Sequence, residues 1–261
     1  MGIHLSTQRS IRGVRSLTFC YLCGQPLKGT VQNRDHVPPT SLFLEVDRNH
    51  PLSLPTHEAC NGARSKEDQL IGSLVGLLHG SAPSQKAAPL PLRQTTTASG
   101  ERLAVLAGLD LRAPIRRWVT GFHAALYREH LPDDPALFST TPPAPEVDPG
   151  TRSVIRQDVV PEFVATIKKN RLTKSLDSIV TRNKKCVYEC VWAQADGGQW
   201  MCIFALDIYG WINMGDNVHF RGQGCVGAYR LRRGGTPRGA AEATRLEFRF
   251  DNRQPLDPFG A

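Results

Sequence analysis

Three short runs near the start of the chain limit what it can fold into more than anything else in it. They are Cys20-Tyr-Leu-Cys23, Asp35-His36 and His57-Glu-Ala-Cys60-Asn61. A Cys-x-x-Cys turn places two sulfurs on one knuckle, each about 2.3 Å from a zinc ion. His57 and Cys60 repeat the spacing with two more soft or borderline donors, so Cys20, Cys23, His57 and Cys60 suit a closed tetrahedral zinc site. The loop between the two pairs is longer than in a simple finger, and Asp35-His36 sits inside it. Asp35 and Asn61 carry oxygen donors, which suit a hard cation such as Mg²⁺ and an activated water. Two metal chemistries are therefore written into one stretch, one to hold the fold and one to work.

The remaining composition narrows the class. A chain of 261 residues, 40% hydrophobic and 21% charged, has the core of a soluble globular protein. No apolar run approaches the roughly 20 residues that span a bilayer, so no membrane is expected. The N-terminus lacks the apolar core of a secretory signal. Met1-Gly2 with Ser6 fits a myristoylation pattern, but the pattern is short. Seven cysteines are an odd set, unlike a secreted disulfide framework, which favours a reducing cytoplasm. The net charge of +8 favours a polyanion as partner, nucleic acid being the common one.

Punctuation along the chain suggests a zinc-binding domain over residues 1–80, a linker and helical segment over 81–150, and a C-terminal α+β domain over 151–261. Residues 1–16 read as a loose basic arm, and 17–27 as a hairpin whose turn carries Cys20 and Cys23. Prolines at 38, 39, 51 and 55 preclude a long helix before His57. A helix starts near Cys60, with Leu70, Ile71, Leu74, Val75 and Leu78 as its apolar stripe. Residues 81–100 read as a flexible connection. Further helices are expected over 114–130 and 160–170. Apolar runs at 186–194, 199–213, 224–231 and 244–250 make a small antiparallel sheet, with Asp196-Gly197-Gly198 as a hairpin turn.

Hydrolysing a phosphodiester takes an attacking water, a base to deprotonate it, and a cation to absorb charge on the phosphate. A neutral histidine suits the base, while Asp and Asn oxygens can hold the cation. Asp35 and His36 are adjacent, so on a strand they face opposite sides. Asn61 also fits a helix N-cap, and Asp35 also fits a partner for Arg34.

CYLCG, DHVPPTSLF and CNGARSKED together resemble the HNH nuclease family, in particular its bacterial branch with a Cys-x-x-Cys-Gly opening and a closing Cys-Asn-x-x-x-Ser-x-x-Asp. The resemblance covers residues 17–80. It implies a ββα-metal fold, two strands and a helix around one catalytic Mg²⁺ or Mn²⁺, with a structural zinc outside it. His36 is then the general base, Asp35 and Asn61 ligate the catalytic cation, and Cys20, Cys23, His57 and Cys60 hold zinc. His57 stands where most of this branch has cysteine. His50 takes the place of the family's middle Asn, with Asn49 one residue before it. The expected function is a metal-dependent HNH endonuclease that hydrolyses DNA. The alternative is a zinc-stabilised nucleic-acid or protein-binding module whose nuclease centre has decayed.

Outside that region, Lys168, Lys169, Arg171, Lys174, Arg182, Lys184 and Lys185 form a basic stretch suited to phosphate contacts or to a solvated helix face. Trp192, Trp200, Phe204, Tyr209 and Trp211 read as sheet core rather than base-stacking platforms. Cys186 and Cys190 read as structural. His79, His123, His130 and His219 lack ligand spacing and read as surface or core residues.

Overall fold

Alternation with a period of two runs through the C-terminal strands and sorts their side chains onto two buried faces. The computed structural model describes residues 2–6, 10, 16–43, 45, 52–78, 92–96, 100, 102–106, 112–132, 134, 138–140, 160–181, 184–194, 200–208 and 225–231. In chain order these form β1 (His4–Leu5), β2 (Gln32–Val37), β3 (Leu52–His57), α1 (Glu58–Gly62), α2 (Ser65–Leu78), β4 (Leu92–Thr96) and β5 (Arg102–Leu106). There follow α3 (Arg112–Tyr127), β6 (Phe138–Thr140), α4 (Val160–Leu172), β7 (Asp177–Val180), β8 (Cys186–Gln194), β9 (Trp200–Ile208) and β10 (Cys225–Arg230). The fold is mixed α+β.

A six-stranded sheet of order β1-β7-β8-β9-β10-β6 forms the larger part. Along β8, Cys186, Tyr188, Cys190 and Trp192 enter one apolar cluster, while Val191 and Ala193 enter the other. On β9, Cys202, Phe204, Leu206 and Ile208 alternate in the same way with Met201, Ile203 and Ala205. Helix α4 covers the second face through Phe163 and Ile167. Helix α3 covers the first through Ile115, Trp118, Val119, Phe122 and Leu126. With both faces covered, the strands read as nearly continuous apolar runs. Gln194 pairs with Trp200, so β8 and β9 form the expected hairpin.

Three features depart from expectation. The sheet is larger than a small antiparallel one, because its edge recruits the N-terminus: His4 and Leu5 pair in parallel with Ser178 and Ile179. That stretch therefore does not end as a loose arm. Ile3 N–H donates to Asp177 Oδ1 at 2.6 Å, and the His4 ring bonds the Ser178 hydroxyl. Within the presumed flexible connection, β4 pairs antiparallel with β5, Leu92 opposite Leu106. Ladder hydrogen bonds there outweigh a composition that reads as linker. The strand expected over 244–250, the 195–199 turn, and His79, His219, Arg182, Tyr209 and Trp211 lie outside the described residues.

The smaller part is the β2–β3 pair, in which Asp35 faces Leu54 and His36 faces Ser53, followed by α1 and α2. Its Leu17, Tyr21, Val37, Leu42, Leu52, Leu54 and Ile71 belong to the same apolar cluster as α3 and the first sheet face. Helix α3 thus lies between the two parts and packs on both. Two glycines permit its approach. A Cβ on Gly121 would sit 2.7 Å from Val37 Cγ1 and 3.2 Å from Tyr21 Cε2. Gly24, at φ +75°, lies where a Cβ would meet the His130 ring at 2.6 Å, just past the end of α3. Among the described residues no helix is long and apolar enough to cross a membrane.

Gly121→Val should lower stability by about 1–3 kcal/mol, the usual cost of overpacking a filled core, measured as a shift in urea midpoint. A second expectation concerns His123, which is fully buried with Nδ1 2.9 Å from the Tyr229 hydroxyl. Burial, then the charge of His130, pushes its pKa down to about 3. The folded chain keeps it neutral, while the unfolded chain takes up a proton near pH 6.5. Its contribution is full above that pH and falls away toward pH 3, by at most about 1.4 kcal/mol per unit. His123→Gln should therefore lose less stability than wild type between pH 7 and pH 5 in paired urea titrations.

Candidate metal centre and the residues around it

Cys20 and Cys23 sit on a tight turn closed by Gly24 N–H donating to the Cys20 carbonyl at 2.8 Å and Cys20 N–H donating to that of Gln25 at 2.9 Å. Gly24 adopts the left-handed backbone that this knuckle needs. The other pair comes from the junction of β3 and α1. His57 is the last residue of β3 and the N-cap of α1, at φ −70° and ψ 142°. Cys60 follows within the first turn. The ligand atoms of Cys20, Cys23, His57 and Cys60 all lie within 4.8 Å of one another. A tetrahedron with 2.3 Å bonds has edges of about 3.8 Å. His57 Nδ1 lies 3.3 Å from Cys23 Sγ and 3.9 Å from Cys60 Sγ.

The imidazole is set for this role by its other nitrogen. His57 Nε2 lies 3.2 Å from the Pro26 carbonyl, which can only accept. A neutral ring therefore carries its proton on Nε2 and turns the Nδ1 lone pair toward the sulfurs, the outer-shell arrangement that metal-bound histidines use. His57 N–H also donates to Cys20 Sγ at 3.5 Å. The thiols respond unequally. Burial opposes ionisation of Cys23, yet hydrogen bonds led by those from the Gln25 backbone and Cys20 bring its pKa below the ordinary value. Burial, followed by the charges on Cys20 and Cys23, pushes Cys60 up to about 11. One thiolate is welcome here and the next is repelled, a conflict that a divalent cation relieves. Three sulfurs and a correctly protonated imidazole fit zinc. The group can hold such an ion.

Asp35 is buried on β2 and accepts a hydrogen bond from the Tyr21 hydroxyl through Oδ2. Tyr21 lies between the two knuckle cysteines. Burial, then the charge of Asp35, holds the phenol well above its usual pKa, so it remains a donor. Burial also raises the Asp35 carboxyl, opposed by the Tyr21 bond and the Arg117 guanidinium and reinforced by Asp68. Arg117, buried on α3, grips Asp68 of α2 through both terminal nitrogens, Nη1 reaching Oδ2 at 3.2 Å, with Glu67 at 3.8 Å. Asp35 therefore belongs to a buried group with Tyr21, Arg117 and Asp68, and Arg34 turns away to Ser53, Nε to Oγ at 3.0 Å.

His36, half-buried, occupies the strand position after Asp35 and so takes the opposite side of β2. Asn61 lies inside α1 and is not its cap. Its Nδ2 reaches the Arg34 carbonyl in a long 3.4 Å bond. That carbonyl can only accept, so the amide nitrogen faces β2 and Oδ1 is left for another partner. The helix bearing Asn61 thus leans on the strand bearing Asp35 and His36. His50 and Asn49 lie outside the described residues.

Sequence reasoning did not single out Tyr21 or Arg117. Tyr21 between two ligands was the available signal, as was an arginine on the apolar side of α3. Asp68, the last residue of the CNGARSKED run, makes a tertiary ion pair with Arg117. Elsewhere Cys186, Cys190, Trp192 and Phe204 are core. Lys168, Lys169, Lys174 and Lys184 are exposed, while Arg171 is paired with Glu189.

No protein-family model, curated protein or solved structure matches this chain.

Purified chain should carry one zinc per molecule by elemental analysis. Cys23→Ser and Cys60→Ser should each drop that well below one and lower the melting temperature, because metal binding at such a site is folding free energy. Zinc binding displaces thiol protons, so affinity in chelator competition should rise from pH 6 to pH 8.

Proposed function

We propose that the chain is a zinc-stabilised, HNH-type metal-dependent endonuclease that hydrolyses phosphodiester bonds in DNA. The observation that carries this reading is the approach of Asn61 on α1 to the backbone of β2, beside Asp35 and His36. Two antiparallel strands and a helix meet there, as a ββα-metal centre requires, and the Cys₃His cluster clamps their ends. The donor chemistry fits a hard cation. Asp35 uses Oδ2 for Tyr21 and retains Oδ1, while Asn61 uses Nδ2 and retains Oδ1. Mg²⁺ or Mn²⁺ held by these two would supply charge neutralisation at a phosphate.

His36 is assigned as the general base: a neutral imidazole nitrogen accepts the proton of the attacking water. Asp35, on the other side of the strand, holds its carboxylate against the cation. The Arg117 guanidinium offsets the cost of keeping that carboxylate charged in a buried setting. Exposed Lys168, Lys169, Lys174 and Lys184 favour contact with a phosphate backbone.

One observation favours the second reading, a binding module with a decayed centre. Asp35 is only 5% exposed and already serves a buried polar group, which suits a structural role as well.

Supercoiled plasmid incubated with the chain and Mg²⁺ or Mn²⁺ should be nicked, and EDTA should stop it. His36→Ala should lose about 10²–10⁴-fold in rate, the usual worth of a general base, while keeping its zinc. Cutting by His36→Ala at the wild-type rate removes His36 from the mechanism. Salt-sensitive DNA binding without cleavage by any divalent ion selects the second reading.

A further inference from the structure

Tyr21 links both halves of the site: its backbone lies within the Cys20–Cys23 knuckle and its hydroxyl ends on Asp35. We infer that Tyr21 is a positioning residue, which transmits the geometry of the structural zinc cluster to the carboxylate that holds the catalytic cation. The inference rests on the hydrolase reading above and names a part that this reading leaves open.

Four observations support it. First, Tyr21 has little freedom of its own. Cys20 and Cys23 flank it within one turn, and both are drawn into a cluster whose ligand atoms span no more than 4.8 Å. Second, the ring is 1% exposed and belongs to the main apolar cluster. Gly121 of α3 lies against it, close enough that a Cβ there would meet Cε2 at 3.2 Å. Third, the hydroxyl donates to Oδ2 of Asp35, which fixes the carboxylate plane and reserves Oδ1 for a cation. Fourth, the Arg117–Asp68 ion pair lies close enough to this hydrogen bond to act electrostatically on both Tyr21 and Asp35. A donor that hydrogen-bonds a ligating carboxylate orients it toward the metal, and removing such a donor typically costs about 10–100-fold in metal affinity or activity.

The arrangement also gives the zinc cluster a specific task. A knuckle that only cross-linked the chain would tolerate any packed residue between its cysteines. Here the residue between them must be long, planar and tipped with a donor. Phenylalanine fills the same volume and lacks only that donor.

The test uses the 261-residue chain as wild type, Tyr21→Phe, Asp35→Asn and the Tyr21→Phe/Asp35→Asn pair. Zinc content and near-ultraviolet circular dichroism check the fold. Mn²⁺ binding is measured directly by electron paramagnetic resonance, and plasmid nicking is followed as a function of Mn²⁺. Tyr21→Phe is expected to keep one zinc and to need about 10–100-fold more Mn²⁺ for half-saturation, with the rate at saturating Mn²⁺ close to wild type. The double variant should bind Mn²⁺ no worse than Asp35→Asn alone, because Tyr21 acts through that carboxylate. Should the phenylalanine chain lose zinc, Tyr21→Met removes the hydroxyl with a more adaptable side chain and takes its place.

Mn²⁺ affinity of Tyr21→Phe equal to wild type, with Asp35→Asn weakened, overturns the inference and leaves the hydrolase reading intact. Additive losses in the double variant overturn it as well, since they mean a general packing effect. Wild-type chain that binds no Mn²⁺ and cuts no plasmid defeats the hydrolase reading, and this inference falls with it.

Discussion

The convergence of Cys20, Cys23, His57 and Cys60 organises the smaller half of this protein. Their ligand atoms lie within 4.8 Å of one another, a grouping that could hold one metal ion. A divalent ion bound there would replace repulsion between ionised thiols with attraction to a single centre. The group joins the turn at 20–24, the end of β3 and the first turn of α1. The residues of the proposed site lie next to that junction: Tyr21 within the knuckle, Asp35 and His36 on the strand paired with β3, and Asn61 one residue beyond Cys60.

Helix α3 makes that object part of a larger body. It presents Ile115, Val119 and Phe122 to an apolar cluster that also holds Tyr21, Leu54, Tyr188 and Phe204. Its charged Arg117 enters the same region and is tolerated because Asp68 meets it there with both carboxylate oxygens. A buried ion pair of this type adds little net stability, yet losing one partner is costly, about 3–5 kcal/mol. Its worth here lies in geometry: it sets α2, α3 and β2 in one relation and places positive charge beside Asp35.

Residue patterns announced the local parts accurately. The doubled x-x spacing of Cys20, Cys23, His57 and Cys60 was readable because metal ligands obey fixed distances whatever surrounds them. Cys186 to Gln194 was readable as a strand because a segment buried largely on both faces is mostly apolar, with Glu189 and Gln194 as its polar exceptions. His4 and Leu5 were not readable as a strand: two residues hold no periodicity, and their pairing with Ser178 and Ile179 depends on an edge formed far along the chain. Nor was the β4–β5 hairpin, whose Pro-, Ser- and Thr-rich neighbourhood resembles a linker. Asp35 stood out in the sequence as a candidate cation ligand, but its bond to Tyr21 was not legible, since no spacing rule links positions 21 and 35.

What the amino-acid order determined alone is therefore the donor inventory: which atoms are soft, which are hard, and which pairs share a turn. Short-range stereochemistry suffices for that. Only the tertiary structure decided which face each donor serves, because long-range contacts set it. Packing of α3 against β2 turned Asp35 inward to Tyr21, and the Pro26 carbonyl turned His57 Nδ1 toward the sulfurs. A side chain's partner depends on what the rest of the chain brings within about 3 Å of it, and local order does not encode that distance.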